Sequence, residues 1–424
     1  TRNLSVFTGG NLSDNGNLLV SGTTLINSGN FDVVLDNSNN FGSIGFTAAK
    51  NATVRDVGAI DLAASTIGGA LTINSSGAIT QSGIISVTGA SLFNSGATNS
   101  ITLDNSFNDF SSVSISAANN VSLGDANSLV LAASTISGAL TVTTSGAITQ
   151  SGILTVTGAA NFSAGSTNDI TINNPANNFS SVSVSSARNI ALIDISDLVF
   201  ATSSISGNLD VTTGGDITDS GLISVAGITT LSAAGHNITL DDNNDFNSLA
   251  ITAANNATIF DINALVLDTS TITGNLIITT AGDISQTGSL TIGGAAALNS
   301  GGHDINLGNA NDFNSLGITS ARDVMVNDKT ALILNASTIT GTLTITTGGD
   351  ITDNGVLVIS GLITLDSGSH DITLDNVNQF VEGVRTGKTE NAALWGAEST
   401  LVAVMALTAC TSGQPMTWEK VNQV

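Results

Sequence analysis

The chain has 424 residues, of which 41% are hydrophobic and only 10% charged, and its net charge is −24. Scarce Lys and Arg set nucleic acid and anionic membrane aside as partners, because like charges repel, and the surface is left to Ser, Thr, Asn and Gly. The single cysteine, Cys410, rules out an internal disulfide, and the longest apolar run, "LVAVMALTA" at 401–409, falls far short of the roughly 20 residues that span a membrane.

The chain opens at Thr1 without Met and in mid-repeat, so it reads as a fragment or a processed piece. The first landmark is "VVLDN" at Val33. It returns as "ITLDN" at Ile101, "ITINN" at Ile170, "ITLDD" at Ile238, "INLGN" at Ile305 and "ITLDN" at Ile372. Phe41 returns as Phe110, Phe179, Phe246, Phe313 and Phe380. "GALT" at Gly69 returns at Gly138, then as "GNLD" at Gly207, "GNLI" at Gly274 and "GTLT" at Gly341, with spacings of 69, 69, 67 and 67 residues. A length that alone implies about three domains is thereby reread as one repeating architecture, which grows without adding separate cores.

Within the copy that starts at Leu140, the apolar positions are Leu140 and Val142, Ile148, Leu154 and Val156, Phe162, Ile170 and Ile172, Val182 and Val184, Ile190 and Leu192, then Leu198 and Phe200. Alternation of period two with β-branched enrichment predicts strands with one face inward. Gly, Asn and Ser between them predict turns. A propeller blade needs four longer strands in roughly 40 to 50 residues. Here about nine short strands fill one period, which divides into three coils of about 23 residues each. The reading is all-β: a right-handed parallel β-helix, or β-solenoid, with about three coils per 67–69-residue repeat. Six repeats predict about 18 rungs and a rod of about 85 Å at about 4.8 Å per rung.

The repeats fill residues 1–380, and a non-repeat tail follows at 381–424. All four Glu lie in the tail (Glu382, Glu390, Glu398, Glu419), as do Trp395, Trp418 and Cys410. "ENAALWGAESTLVAVMALTAC" reads as an apolar helix that caps the last rung, with a disordered tail as the alternative. "GVRTGKT" at 383–389 is one residue short of a phosphate-binding loop and lacks its α/β context. "LTACTSG" at 407–413 looks like a lipoprotein cleavage box in the wrong part of the chain.

Four series of residues have side chains capable of chemistry. His236, His303 and His370 occupy one repeat position, where earlier copies carry Asn99 and Asn168. At three coils per repeat they stand about 14 Å apart along the axis, against a zinc–nitrogen distance of about 2.1 Å, so they share no metal. Lys50, Asn119, Arg188, Asn255 and Arg322 also share one position, and its alternation with Asn marks a solvated turn. Asp104, Asp109, Asp241, Asp242, Asp245 and Asp375 lie in Asn-rich turns. Weak Ca2+ binding there is the one cofactor reading left open, against ordinary turn capping by Asp and Asn. Thr-x-Thr pairs such as Thr141 and Thr143, Thr155 and Thr157, Thr271 and Thr273, and Thr344 and Thr346 return too irregularly for an ice-binding array and fit outward β positions. No catalytic, cofactor-binding or metal residue is assigned.

The phrases "GALTVTTSGAITQSGILTVTGAANFSAGSTNDITI" and "NNVSLGDANSLVLAASTISG" resemble the repeats of filamentous-haemagglutinin-like large exoproteins. That resemblance covers roughly residues 1–380. It implies a secreted or surface-anchored bacterial adhesin, exported by two-partner secretion through an outer-membrane transporter that engages an amino-terminal region. The NPNL and NPNGI motifs of that region are absent here, and "NPAN" at 174–177 is not a match. The expectation is a non-catalytic structural or adhesive rod on the bacterial surface. Its partners are host or neighbouring-cell glycans or proteins, or other copies of itself. A self-associating extracellular filament and a β-helical carbohydrate-active enzyme are the alternatives.

Overall fold

Leu140, Val142, Ile148, Leu154 and Val156, the inward positions of the alternating pattern, are all buried. Thr141, Thr143, Thr149 and Thr155 between them are half-buried or exposed. Alternation thus gives each short strand one apolar face, and parallel stacking buries that face while pairing its backbone with the coils on either side. The computed structural model describes residues 2–375, and the chain divides into two compact units, Thr1–His236 and Asn237–Val424. Among the described residues the strand pairings of both units are parallel, as a β-solenoid requires.

In the first unit the chain weaves between two ladders. One joins Leu12, Val33, Ala52, Leu71, Ser91, Val113 and Leu131, each the register partner of the next. The other joins Ile60, Ile79, Ile101, Val121, Leu140, Ala160, Val182 and Phe200. The second ladder takes seven steps between residues 60 and 200, which is two sequence periods. The register therefore sets the count at three and a half coils per repeat, with about 20 residues per coil. The half coil matters. Equivalent positions of successive repeats fall on alternate ladders: Leu71 lies on the first, Leu140 on the second and Leu209 on the first again.

A short third face joins the ladders along one edge. Ser65–Ile67 pairs with the start of Ile85–Asn94, and Val87 pairs with Phe110. One repeat later, Ser134–Ile136 pairs with the start of Leu154–Ser163, and Val156 pairs with Phe179. Ile85–Asn94 continues into the first ladder, and Leu154–Ser163 into the second. The third face therefore switches edge with each repeat. These long strands turn a corner without breaking, so the copy from Leu140 contains eight strands where the pattern predicts about nine. Phe162 falls inside Leu154–Ser163. Phe93 meets Phe110 edge-on at 6.1 Å, and Phe162 meets Phe179 at 6.2 Å, closing the corner of the core.

The second unit repeats the design. Ile238, Ala257, Leu276, Ala296, Leu316 and Leu334 form one ladder. Leu265, Ile284, Ile305, Val324, Leu343 and Ile363 form the other. An interior gap bordered by Leu316 and Leu334 from one ladder and Val326 and Leu343 from the other has room for about 10 Å3, no more than one water molecule needs.

Candidate functional site

The corner that holds the histidine series is a tight turn. Backbone N–H groups of His236, His303 and His370 donate to the carbonyls of Ala233, Ser300 and Ser367. The turn requires left-handed backbone, which Gly29, Gly96, Gly165, Gly301 and Gly368 supply at φ 63 to 77°. In the His236 copy, Ala234 takes that place at φ 41°. Nδ1 of His236 lies 3.8 Å from Asp216 Oδ1, and Nδ1 of His370 lies 3.8 Å from Asp350 Oδ1, both pairs about half exposed. The half-coil repeat places equivalent corners at opposite edges, so within the second unit His303 and His370 face apart.

The basic series lies one coil on from the same corner. Arg188 donates its backbone N–H to the Asn168 carbonyl, Arg322 to that of His303, and Asn119 to that of Asn99. Arg188 grips Asp169 with two guanidinium nitrogens, at 2.8 and 2.6 Å, and Arg322 grips Asp304 in the same way. These contacts hold the Asp169 and Asp304 carboxyls below the usual aspartate range. Both pairs are exposed, so each adds little to stability, on the order of 0–1 kcal/mol.

The acidic turns do not converge. Asp109 accepts a hydrogen bond from Asn127 Nδ2 at 2.8 Å, and Asp245 accepts one from Asn263 Nδ2 at 2.7 Å. Asp375 donates its N–H to Asp353 Oδ1 at 2.6 Å. Asp104, Asp241 and Asp242 are exposed. Among the described residues, no group of three or more His, Cys, Asp or Glu side chains is arranged to hold a metal ion. The Thr columns are mixed as well: Thr141 stacks between Ser122 and Asn161, and Thr143 between Gly124 and Ser163. Glu382, Glu390, Glu398, Glu419, Trp395, Trp418, Cys410, the "GVRTGKT" stretch and the apolar helix expected to cap the last rung all lie outside the described residues. Among the described residues, no helix is long and apolar enough to cross a membrane.

The most regular polar feature is a buried aspartate series that belongs to none of the four series above. Asp56, Asp125, Asp194, Asp261 and Asp328 are at most 1% exposed. In each, Oδ2 accepts the N–H of the landmark phenylalanine fifteen residues earlier, at 2.6 to 2.7 Å. Oδ1 accepts the N–H two residues later, at 2.7 to 2.9 Å. The carboxylate thus takes over where the short third face ends and two backbone donors lose their ladder partners. Burial raises all five pKa values, and the two N–H bonds offset part of that rise. Asp261 is pushed up to about 6.

Beside each carboxylate sits a buried asparagine. Asn108 Oδ1 accepts the Ile85 N–H at 2.9 Å and Gln81 Nε2 at 2.9 Å. Its Nδ2 donates to Gln81 Oε1 and to the Leu103 carbonyl. Asn177 and Asn311 repeat the arrangement with Gln150 and Gln286. The hydrogen bonds of the Asp and Asn side chains in this cluster run to the protein's own backbone and to neighbouring amide and hydroxyl side chains. Its chemistry is therefore structural: it closes the coil where the sheet cannot. Parity was the signal for it. In "VSLGD", Val121 and Leu123 face inward, so Asp125 must too.

One concavity, of about 460 Å3, is lined by Leu4, Val6, Leu12, Asp14, Thr24 and Leu35. These are the inward positions of the first described coils, the positions that are buried farther along the stack, so the hollow reflects stacking order.

No curated protein and no solved structure matches the chain. A repeat family does match, described as repeats of unknown function (DUF5649), over residues 1–46, 49–116, 118–186, 187–253, 254–320 and 321–387. All five later copies start on corner alanines, Ala49, Ala118, Ala187, Ala254 and Ala321, each bridged to an isoleucine one coil on. With six copies covering nearly its whole length, the chain belongs to the DUF5649 repeat family.

Proposed function

We propose that the chain is a non-catalytic structural and adhesive element of a secreted or surface-exposed bacterial exoprotein. The observation that supports this most is the unbroken coil spacing. Register partners stay 17 to 23 residues apart, from the Asn39–Asp56 pair to the Ser86–Asp109 pair, and the second unit keeps the same range. An active site on a solenoid is expected to break such spacing with a long loop or a local cluster, and the polar clusters inside these coils close the fold. Likeness to filamentous-haemagglutinin-like repeats supports the adhesive role and the surface location, with glycans or proteins of host or neighbouring cells as the ligands. Binding of the labelled chain to whole cells and to a glycan array tests the reading. Saturable binding is expected. Turnover of a polysaccharide by the chain would overturn the non-catalytic assignment.

A further inference from the structure

The inward positions lose their cover at the last described coil of the second unit. Leu290, Ile292, Ala296, Ile305 and Leu307 are at most 1% exposed. One period of 67 residues on, Leu357, Ile359, Ile363, Ile372 and Leu374 hold the same positions and are only half-buried. Among the described residues, Leu357–Ile359, Ile363–Asp366 and Ile372–Thr373 each pair with another strand on one side only. The other side is an open parallel edge beside an apolar face, a template for further strands.

The repeat itself cannot supply the next coil. The register partners of Ala296, Leu298 and Ile305 are Leu316, Ile318 and Val324. Carried forward one period, the partners of Ile363, Leu365 and Ile372 would be Gly383, Arg385 and Asn391. A coil in that register would bury a guanidinium and an amide among Ile and Leu side chains, which is costly. Its closing carboxylate would be missing too. Trp395 stands fifteen residues after Phe380, where the preceding copy places Asp328 after Phe313.

We propose that residues 381–424 fold over this open edge and cap it. The segment follows the last described strand within the same chain, so it reaches the edge without a second molecule. Its run "LVAVMALTA" at 401–409 carries no charge and supplies apolar side chains to cover the half-buried Leu and Ile. Charge points the same way. No Lys or Arg lies between residues 330 and 375, where Asp350, Asp366, Asp371 and Asp375 are exposed. Arg385 and Lys388 then come near the start of the segment. A second copy of the chain would instead bring its own net charge of −24 to an end that is already acidic. Covered in this way, the edge is out of reach of strands from other molecules. The cap goes beyond the adhesive reading and does not depend on it, because it is measured with no cell or glycan present.

Hydrogen exchange of the full chain, read by mass spectrometry, tests the proposal. Peptides spanning 357–373 should exchange within about tenfold of those spanning 290–306, their counterparts one period earlier. Val402→Asp combined with Val404→Asp and Leu407→Asp should speed exchange at 357–373 by more than about tenfold. Exchange at 290–306 should stay unchanged in that variant, which shows that the coils remain folded. In the unaltered chain, a photo-crosslinker on the Cys410 thiol should join residues 357–375 of the same molecule. Wild-type exchange at 357–373 as fast as that of an unpaired edge, a variant that exchanges there as the wild type does, or crosslinks that fall elsewhere overturns the proposal. Protection at 357–373 that grows with protein concentration assigns the edge to a second copy and overturns it as well.

Discussion

Replacing Asp261 by Asn tests how a buried carboxylate closes the coil. The wild-type side chain is fully buried and accepts two backbone N–H bonds, from Phe246 at 2.7 Å and Asn263 at 2.9 Å. Its pKa is raised from 3.8 to about 6, with burial as the leading cause. The folded state therefore binds this proton more tightly than the unfolded chain does. Stability from this group is fully present below about pH 4 and is lost as pH rises through about 6. At 1.36 kcal/mol per pKa unit, the loss between pH 4 and pH 7 is about 2 to 3 kcal/mol. Asn removes the titration but offers one acceptor in place of two, which leaves a buried N–H facing an amide NH2 at a cost of about 1 to 3 kcal/mol. At pH 7 the two effects nearly cancel, and wild type and variant should unfold within about 2 kcal/mol of each other. By pH 4 the wild type should have pulled ahead by a further 2 kcal/mol or about that. Urea unfolding of both proteins at pH 4, 5, 6 and 7, followed by circular dichroism, reads the difference, and other titrating groups cancel in the comparison. A gap that stays constant with pH, or that widens toward pH 7, would refute the reasoning: the two N–H bonds would then outweigh burial.

Two further substitutions follow from comparing repeats. Ala234 sits at φ 41° where other copies place Gly29, Gly96, Gly165, Gly301 and Gly368. Relief of left-handed strain exceeds the entropy that Gly loses on folding, so Ala234→Gly should stabilise by about 0.5 to 1 kcal/mol, read as a higher urea midpoint. Ser91 Oγ is buried without a hydrogen-bond partner. The same inward position holds Ala160 and Ala296 in other repeats, each with similar burial. Ser91→Ala should therefore stabilise by about 1 kcal/mol, and a lower midpoint would show that the hydroxyl is satisfied.

Core and period were legible because each rests on local alternation: Leu140, Val142 and Phe162 announce which way they face by their place in a two-residue pattern. The half coil was not legible, because it depends on which strand lies above which. "ALTVTT" at 139–144 looks the same whether Leu140 stacks on Leu71 through three whole coils or crosses to the other ladder through three and a half. The ladder from Leu71 through Ser91, Val113 and Leu131 bypasses Leu140, which pairs instead with Val121 on the other ladder, and that decides it. That single number changes what the exposed series mean. With whole coils, His236, Arg188 or Ile153 would each join a file along one edge, and repetition would build a site by accumulation. With half coils, equivalent positions within a unit are dealt alternately to two ladders, as Leu71, Leu140 and Leu209 are, so two of them on the same ladder stand seven coils apart, about 34 Å. Chemistry that needs convergence, such as a metal centre, is dispersed by this geometry. The buried Asp125 series shows the converse. Its parity was readable in "VSLGD", but an acidic residue at an inward position conflicts with ordinary burial preference, and only the Phe110 N–H that Asp125 accepts at the end of the third face supplies the reason for it.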